Sequence, residues 1–358
     1  GASAATTSGQ NNTAVGYQAG VALTTATYNT FIGYKVGAGV VTGAENTGIG
    51  ATALQALTSG TVNTALGTRA GLVLTEGDRN TFVGKDAGDS ATVINDAVLI
   101  GHDAGHTIST STAVDGTIAI GSSALAALTT GEGSTAVGFE AGAGIVENDQ
   151  NTIFGYQAYR YFGQTDSDNN VAVGHLAMLG ASGTVASNTA ANNVAIGPET
   201  LKDATTAQRN VAVGSSAGEN ITSGQDNIFV GRQAGLAATV HSGSVFLGWA
   251  AGGTVTSGNQ NIAIGYDSMN GGTTTGDNNI AIGQSAGDAL TSGYDNIFMG
   301  RAAGGVATTG YRNIGIGYQA GGDAAITGYD NILLGDRAGK DLTDCDRNIA
   351  IGGQTLDS

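Results

Sequence analysis

The chain has 358 residues, 61 of them glycine and one proline, and carries a net charge of −16 from only 13 Lys and Arg. That balance argues against nucleic acid or an anionic membrane surface as a partner. The single cysteine, Cys345, excludes an intrachain disulfide. The glycines lack collagen's every-third-residue spacing, and no apolar run approaches membrane-spanning length, so no membrane insertion is expected.

From the N-terminus, Asn12-Thr13-Ala14-Val15-Gly16 is the first of twenty copies of one pentapeptide frame. Its closing glycine recurs at Gly33, Gly50, Gly67, Gly84 and Gly101, and onward through Gly214, Gly231, Gly248 and Gly265 to Gly352. Most intervals are seventeen residues and every exception is longer. A fixed period of this length marks a solenoid, in which each coil buries its apolar side only by stacking on its neighbours. The expected fold class is therefore all-β: a parallel β-solenoid, or β-roll, of about twenty 17-residue coils forming one continuous array over residues 1–358. At about 4.8 Å per coil, such an array would make a rod roughly 95 Å long.

Within each coil, numbered from the frame's asparagine, positions two to four read as a short strand. Position four is Val, Ile, Leu, Met or Phe throughout, and position two is Thr in most early copies and Ile or Val in the later ones. Strand alternation places two and four on one face, and this apolar pair is expected to face the inside of the coil. Position three, also apolar, would then face outward and need a cover. Phe31, Phe82, Phe229, Phe246, Phe298 and Leu333 are accordingly expected to meet identical chains in a symmetric homo-oligomer. Position five is always glycine, which implies positive φ or a close backbone approach. Position eight is mostly Ala and position nine mostly Gly, so the coil should be thin.

Each coil closes with Thr and Ser, then Gly, then Asp, Asn or Gln, which is turn chemistry. The position-one asparagine, present in sixteen of the twenty copies, should stack as a hydrogen-bonded ladder; Asn210, Asn227, Asn261, Asn279, Asn296 and Asn313 form one such run.

The frames Asn-Val-Ala-Val-Gly at 210, Asn-Val-Ala-Ile-Gly at 193 and Asn-Ile-Ala-Ile-Gly at 261 and 279 resemble the head repeats of trimeric autotransporter adhesins. The longer run Asn12-Thr13-Ala14-Val15-Gly16-Tyr17-Gln18-Ala19-Gly20 is similar to repeats of phage tail fibres. The resemblance implies a homotrimeric β-roll. The coil here is longer than the adhesin repeat, and neither the adhesin stalk and anchor nor the fibre chaperone is seen. The function expected on this basis is the shaft and adhesive surface of an extracellular or virion fibre, with no enzymatic activity and no cofactor. Its partners would be the chain itself and cell-surface glycans or a host receptor. Alternatives are a bacterial trimeric adhesin head, an end-to-end filament subunit, and an ice- or calcium-binding solenoid. The chain begins and stops mid-coil without polar caps, which reads as a segment of a longer protein, a matured product or an end-stacking unit.

The longest coils lie around 102–196, where insertions should carry any distinctive site. One holds Tyr159, Arg160, Tyr161 and Phe162 with Asp166 and Asp168, aromatic faces beside carboxylates that suit a carbohydrate. The competing reading is ring packing between subunits. Gly214-Ser215-Ser216-Ala217-Gly218 and Gly283-Gln284-Ser285-Ala286-Gly287 match a nucleophile motif but are only the repeat's own Gly-x-x-Ala-Gly. His102 and His106 read as a surface pair rather than metal ligands, and nothing in the sequence turns His175 inward.

Overall fold

The computed structural model describes residues 8–108, 114–131, 133–147, 149–163, 167–181 and 188–356. The described residues contain twenty strands of three residues and no α-helix. They belong to two compact units, the first holding β1 (Thr13–Val15) to β10 (Val171–Val173) and the second β11 (Val194–Ile196) to β20 (Ile349–Ile351). In each unit every strand pairs in parallel, and in register, with the next in sequence: Ala14 lies beside Phe31 in the first and Ala212 beside Phe229 in the second. Both units are thus parallel β-solenoids.

Coil-to-coil hydrogen bonds continue beyond the strands. Gly33 N donates to Val15 O at 2.8 Å, Lys35 N to Tyr17 O at 2.8 Å, and Gly20 N to Val36 O at 2.9 Å; Gly231, Gln233 and Gly218 repeat the pattern in the second unit. This stacking holds residues that would be strained alone. Position seven is left-handed in every coil, at φ 53° for Gln18, 54° for Lys35 and 55° for Ser216, although L-residues pay roughly 1–2 kcal/mol there. The position-five glycines sit at φ 120–144°. A Cβ on Gly16 would lie 2.2 Å from the carbonyl oxygen of Gly33, so any side chain would push the coils apart.

The core inverts the expected strand faces. The middle residue of every strand from β2 (Thr30–Ile32) to β20 is buried, while its neighbours at positions two and four are half-buried or exposed. Phe31, Phe82, Phe229, Phe246, Phe298 and Leu333 have no accessible surface within their own chain, so they are core residues and not contacts between chains. The physical reason is the thinness of the coil. A three-residue strand sends one side chain across it, and strand alternation sends the flanking two outward. Position three packs with position eight, position nine and position twelve, the last being Leu57, Leu74, Ile221 or Leu290 in typical coils.

Large and small residues trade places between positions three and nine in many coils. All five coils with Phe at position three have Gly at position nine, as in Phe31 with Gly37 and Phe229 with Gly235. A Cβ on Gly37 would lie 2.6 Å from the Phe31 ring, and one on Gly235 2.6 Å from the Phe229 ring. Conversely Leu54, Leu125, Leu201 and Met269 occupy position nine where position three is Gly48, Ala119, Ala195 and Ala263. In these coils one large group fills the space between positions three and nine; the coil of Ile153 is the exception, burying Tyr159 at position nine as well.

Candidate functional site

The outward columns two and four form an exposed face in each unit, apolar at position four throughout, and at position two mostly Thr in the first unit and Val or Ile in the second. Exposure is 56% for Val15, 47% for Leu66 and 57% for Phe154 in the first unit, and 42% for Ile228 and 44% for Leu247 in the second. Position six, just past the glycine, adds stacked rings at the edge of that face. Tyr17 stacks on Tyr34 at 5.5 Å, Phe139 on Tyr156 at 5.3 Å and Tyr156 on His175 at 5.5 Å; in the second unit Trp249 stacks on Tyr266 at 4.7 Å. A separate column of Tyr294, Tyr311 and Tyr329 stacks at 4.9 Å per step, with the Arg312 guanidinium 4.9 Å from the Tyr311 ring and that of Arg347 5.3 Å from the Tyr329 ring. These ring columns were missed at the level of sequence. Their signal was present as aromatics recurring at one position in successive coils, at 17 and 34, 139 and 156, 249 and 266, and 294, 311 and 329.

The aromatic insertion is built differently from a sugar platform. Tyr159 and Phe162 are wholly buried and stacked at 4.1 Å. The Tyr159 hydroxyl donates to Ser167 O at 2.6 Å and accepts from Asn170 Nδ2 at 2.8 Å. Burial pushes the phenol well above its usual range, against the hydrogen bond to Ser167. These two rings are therefore core, because Tyr159 takes the position-nine place that most coils give to glycine. Arg160 and Tyr161 are half-buried, with Arg160 Nη1 3.0 Å from Glu140 Oε2 and its guanidinium 5.0 Å from the Tyr161 ring centroid. Asp168 Oδ1 accepts from Asp149 N at 2.8 Å, and Asp166 lies outside the described residues. The structure thus separates the predicted cluster into a sealed ring pair and a polar rim.

The asparagine ladder is continuous over long stretches. Asn227 donates from its backbone N and its Nδ2 to Asn210 Oδ1 at 3.0 and 2.9 Å, and Asn210 Nδ2 also reaches Gly224 O at 2.9 Å. The same bonds join Asn261 to Asn279, Asn279 to Asn296 and Asn296 to Asn313. The ladder changes at Ser244, where His241, buried between Phe229 and Phe246, lies with Nδ1 3.3 Å from Asn227 Oδ1. Its Nε2 has no hydrogen-bond partner, and burial lowers its pKa from 6.5 to about 4.

Threonines in the closing turns use their hydroxyls along the stack. Thr58 donates to Thr75 O at 3.0 Å, Thr222 to Thr239 O at 3.1 Å and Thr291 to Thr308 O at 3.0 Å, so these groups are not held out to a flat external lattice. Ser216 and Ser285 occupy position seven, which is left-handed in every coil. His102 and His106 each lie against a carboxylate, His102 Nδ1 3.0 Å from Asp103 Oδ2 and His106 Nδ1 2.8 Å from Asp89 Oδ1, the latter off the hydrogen-bonding direction. No protein-family model matches the sequence, and a search of curated proteins finds no match. No helix among the described residues is long and apolar enough to cross a membrane.

Proposed function

We propose that this chain is the shaft and adhesive surface of an extracellular or virion fibre, and that it works as a homotrimer. The observation that carries this reading is the exposed column four, apolar in every coil of both units and joined in the second unit by an apolar column two. Monomers seldom expose apolar patches of this extent, and a second copy with the same coil spacing is the surface that matches it column for column. The interface therefore belongs to Ile228, Leu247, Ile264 and their column neighbours rather than to the position-three rings. Assembly would leave the outward turns and ring columns free, and a stiff array of weak sites at fixed spacing gains affinity by multivalency.

Light scattering coupled to size exclusion tests the assembly. The expected mass is three times the 35.2 kDa of one chain. A Lys pair placed in the face, Ile264→Lys with Ile282→Lys, should shift the mass toward 35.2 kDa while the β spectrum is retained. A wild-type chain that runs as a monomer at micromolar concentration would remove the trimer from the proposal.

A further inference from the structure

In the first unit, two successive coils place chemically matched groups in the same columns. The coil of β5 (Thr81–Val83) supplies Lys85, Asp86 and Asp89 at positions six, seven and ten, and the coil of β6 (Val98–Ile100) supplies His102, Asp103 and His106. Stacking in register brings one ligand atom each from Asp86, His102 and Asp103 within 4.8 Å of one another. Both carboxylates are set by left-handed backbone at position seven, φ 59° for Asp86 and 56° for Asp103, so their directions are fixed by the solenoid and not by a flexible loop.

The Asp86 carboxylate is 6% exposed. Arg69 Nε lies 3.1 Å from its Oδ1 but off the hydrogen-bonding direction, and that buried oxygen has no hydrogen bond. The cation now against its other oxygen is the ammonium of Lys85, whose side chain is 59% exposed. His102, 51% exposed, can turn its ring toward the same point.

We propose that Asp86, His102 and Asp103 bind a divalent transition-metal ion of the zinc class, with Lys85 as the resident cation that the metal displaces. One imidazole with two carboxylates is a donor set suited to zinc, nickel or copper, and it leaves a coordination position open to water or to a group on a partner. Asp89, which pairs with Arg69 at 2.7 Å and with His106 at 2.8 Å, steadies the neighbouring column and takes no part in ligation. The site sits beside the apolar face, where an open position could be filled by a ligand presented on another surface.

Titration of the full chain with zinc chloride in a calorimeter tests this directly. The expected result is one ion per chain. His102→Ala, at an exposed position, should weaken binding by more than about 100-fold, beyond the range of a merely supporting group. Lys85→Ala should tighten it about tenfold, because a unit charge a few ångströms away no longer competes. His175→Ala, on the ring stack of the same unit, should change nothing. Cobalt absorption supplies a second readout, with a visible band in the wild type that His102→Ala removes. A wild-type chain that binds no zinc, a His102→Ala chain that binds like wild type, or a Lys85→Ala chain that binds more weakly would each overturn the proposal.

Discussion

Position two of the strand is Thr in seven of the ten coils of the first unit and Val or Ile in all ten of the second, while position three beside it is buried in every strand of both but β1. The two units therefore share one interior and wear different outer faces. The interior is held constant because a thin coil confines the side chains at positions three and nine, whereas the outer columns answer only to solvent and to whatever covers them. The difference separates what the fold requires from what a surface can vary.

The largest effect expected from that separation is at the shared interior. Phe82→Ala in the first unit and Phe229→Ala in the second should each destabilise their unit by about 3–5 kcal/mol, since both rings are wholly buried. Denaturant unfolding followed by hydrogen exchange reads each unit by itself. Equal losses are expected although the outer faces differ. Adding Gly235→Leu to Phe229→Ala should recover a substantial part of the loss, because Leu201 already fills position nine opposite Ala195 in the same unit. A double variant no more stable than the single one would refute volume exchange between these positions.

A smaller effect should distinguish the units by pH. His241 is buried in the second unit, whereas His102, His106 and His175 of the first are exposed or half-exposed. Its folded pKa, lowered by burial from 6.5 to about 4, means that stability present above pH 6.5 is lost as the pH falls toward 4. The shift corresponds to about 3 kcal/mol at most. Hydrogen exchange at pH 7 and pH 4.5 should show the second unit loosening around Phe229 and Phe246 more than any segment of the first. His241→Leu should abolish that excess.

Much of this architecture was legible in the sequence, and one central feature was read backwards. The seventeen-residue frame led to the strands, and the position-one asparagines led to the ladder, because each is a one-dimensional pattern that stacking turns into a column. The strand faces were inverted because aliphatic residues at two and four were equated with burial. The better signal was the pairing of Phe31 with Gly37 and of Leu54 with Gly48, since compensation in volume marks residues that share a confined space. Tyr159 and Phe162 were misplaced for the same reason: an aromatic run in an insertion looks like a surface platform, yet Tyr159 stands at the buried position nine. Asp86, His102 and Asp103 were obscured by separation in sequence, since only the register of two coils brings them together.

The smallest effect tests the outer face itself. Replacing Thr30, Thr47 and Thr64 by Val would give the first unit the column that the second already has. None of these residues is at position three, so the core is untouched. Valine exceeds threonine as a cross-strand neighbour by a few tenths of a kcal/mol per site when a face is uncovered. If the face is covered by identical chains, each substitution also removes a hydroxyl from a dry contact, and the gain per site rises toward about 1 kcal/mol and depends on protein concentration. Melting of the triple variant at two concentrations separates the cases: a concentration-independent rise belongs to an open sheet, and a rise that grows with concentration belongs to an interface. The reverse change, Ile280→Thr in the second unit, should lower stability with the same concentration dependence, because one column then answers to one covering surface in both units.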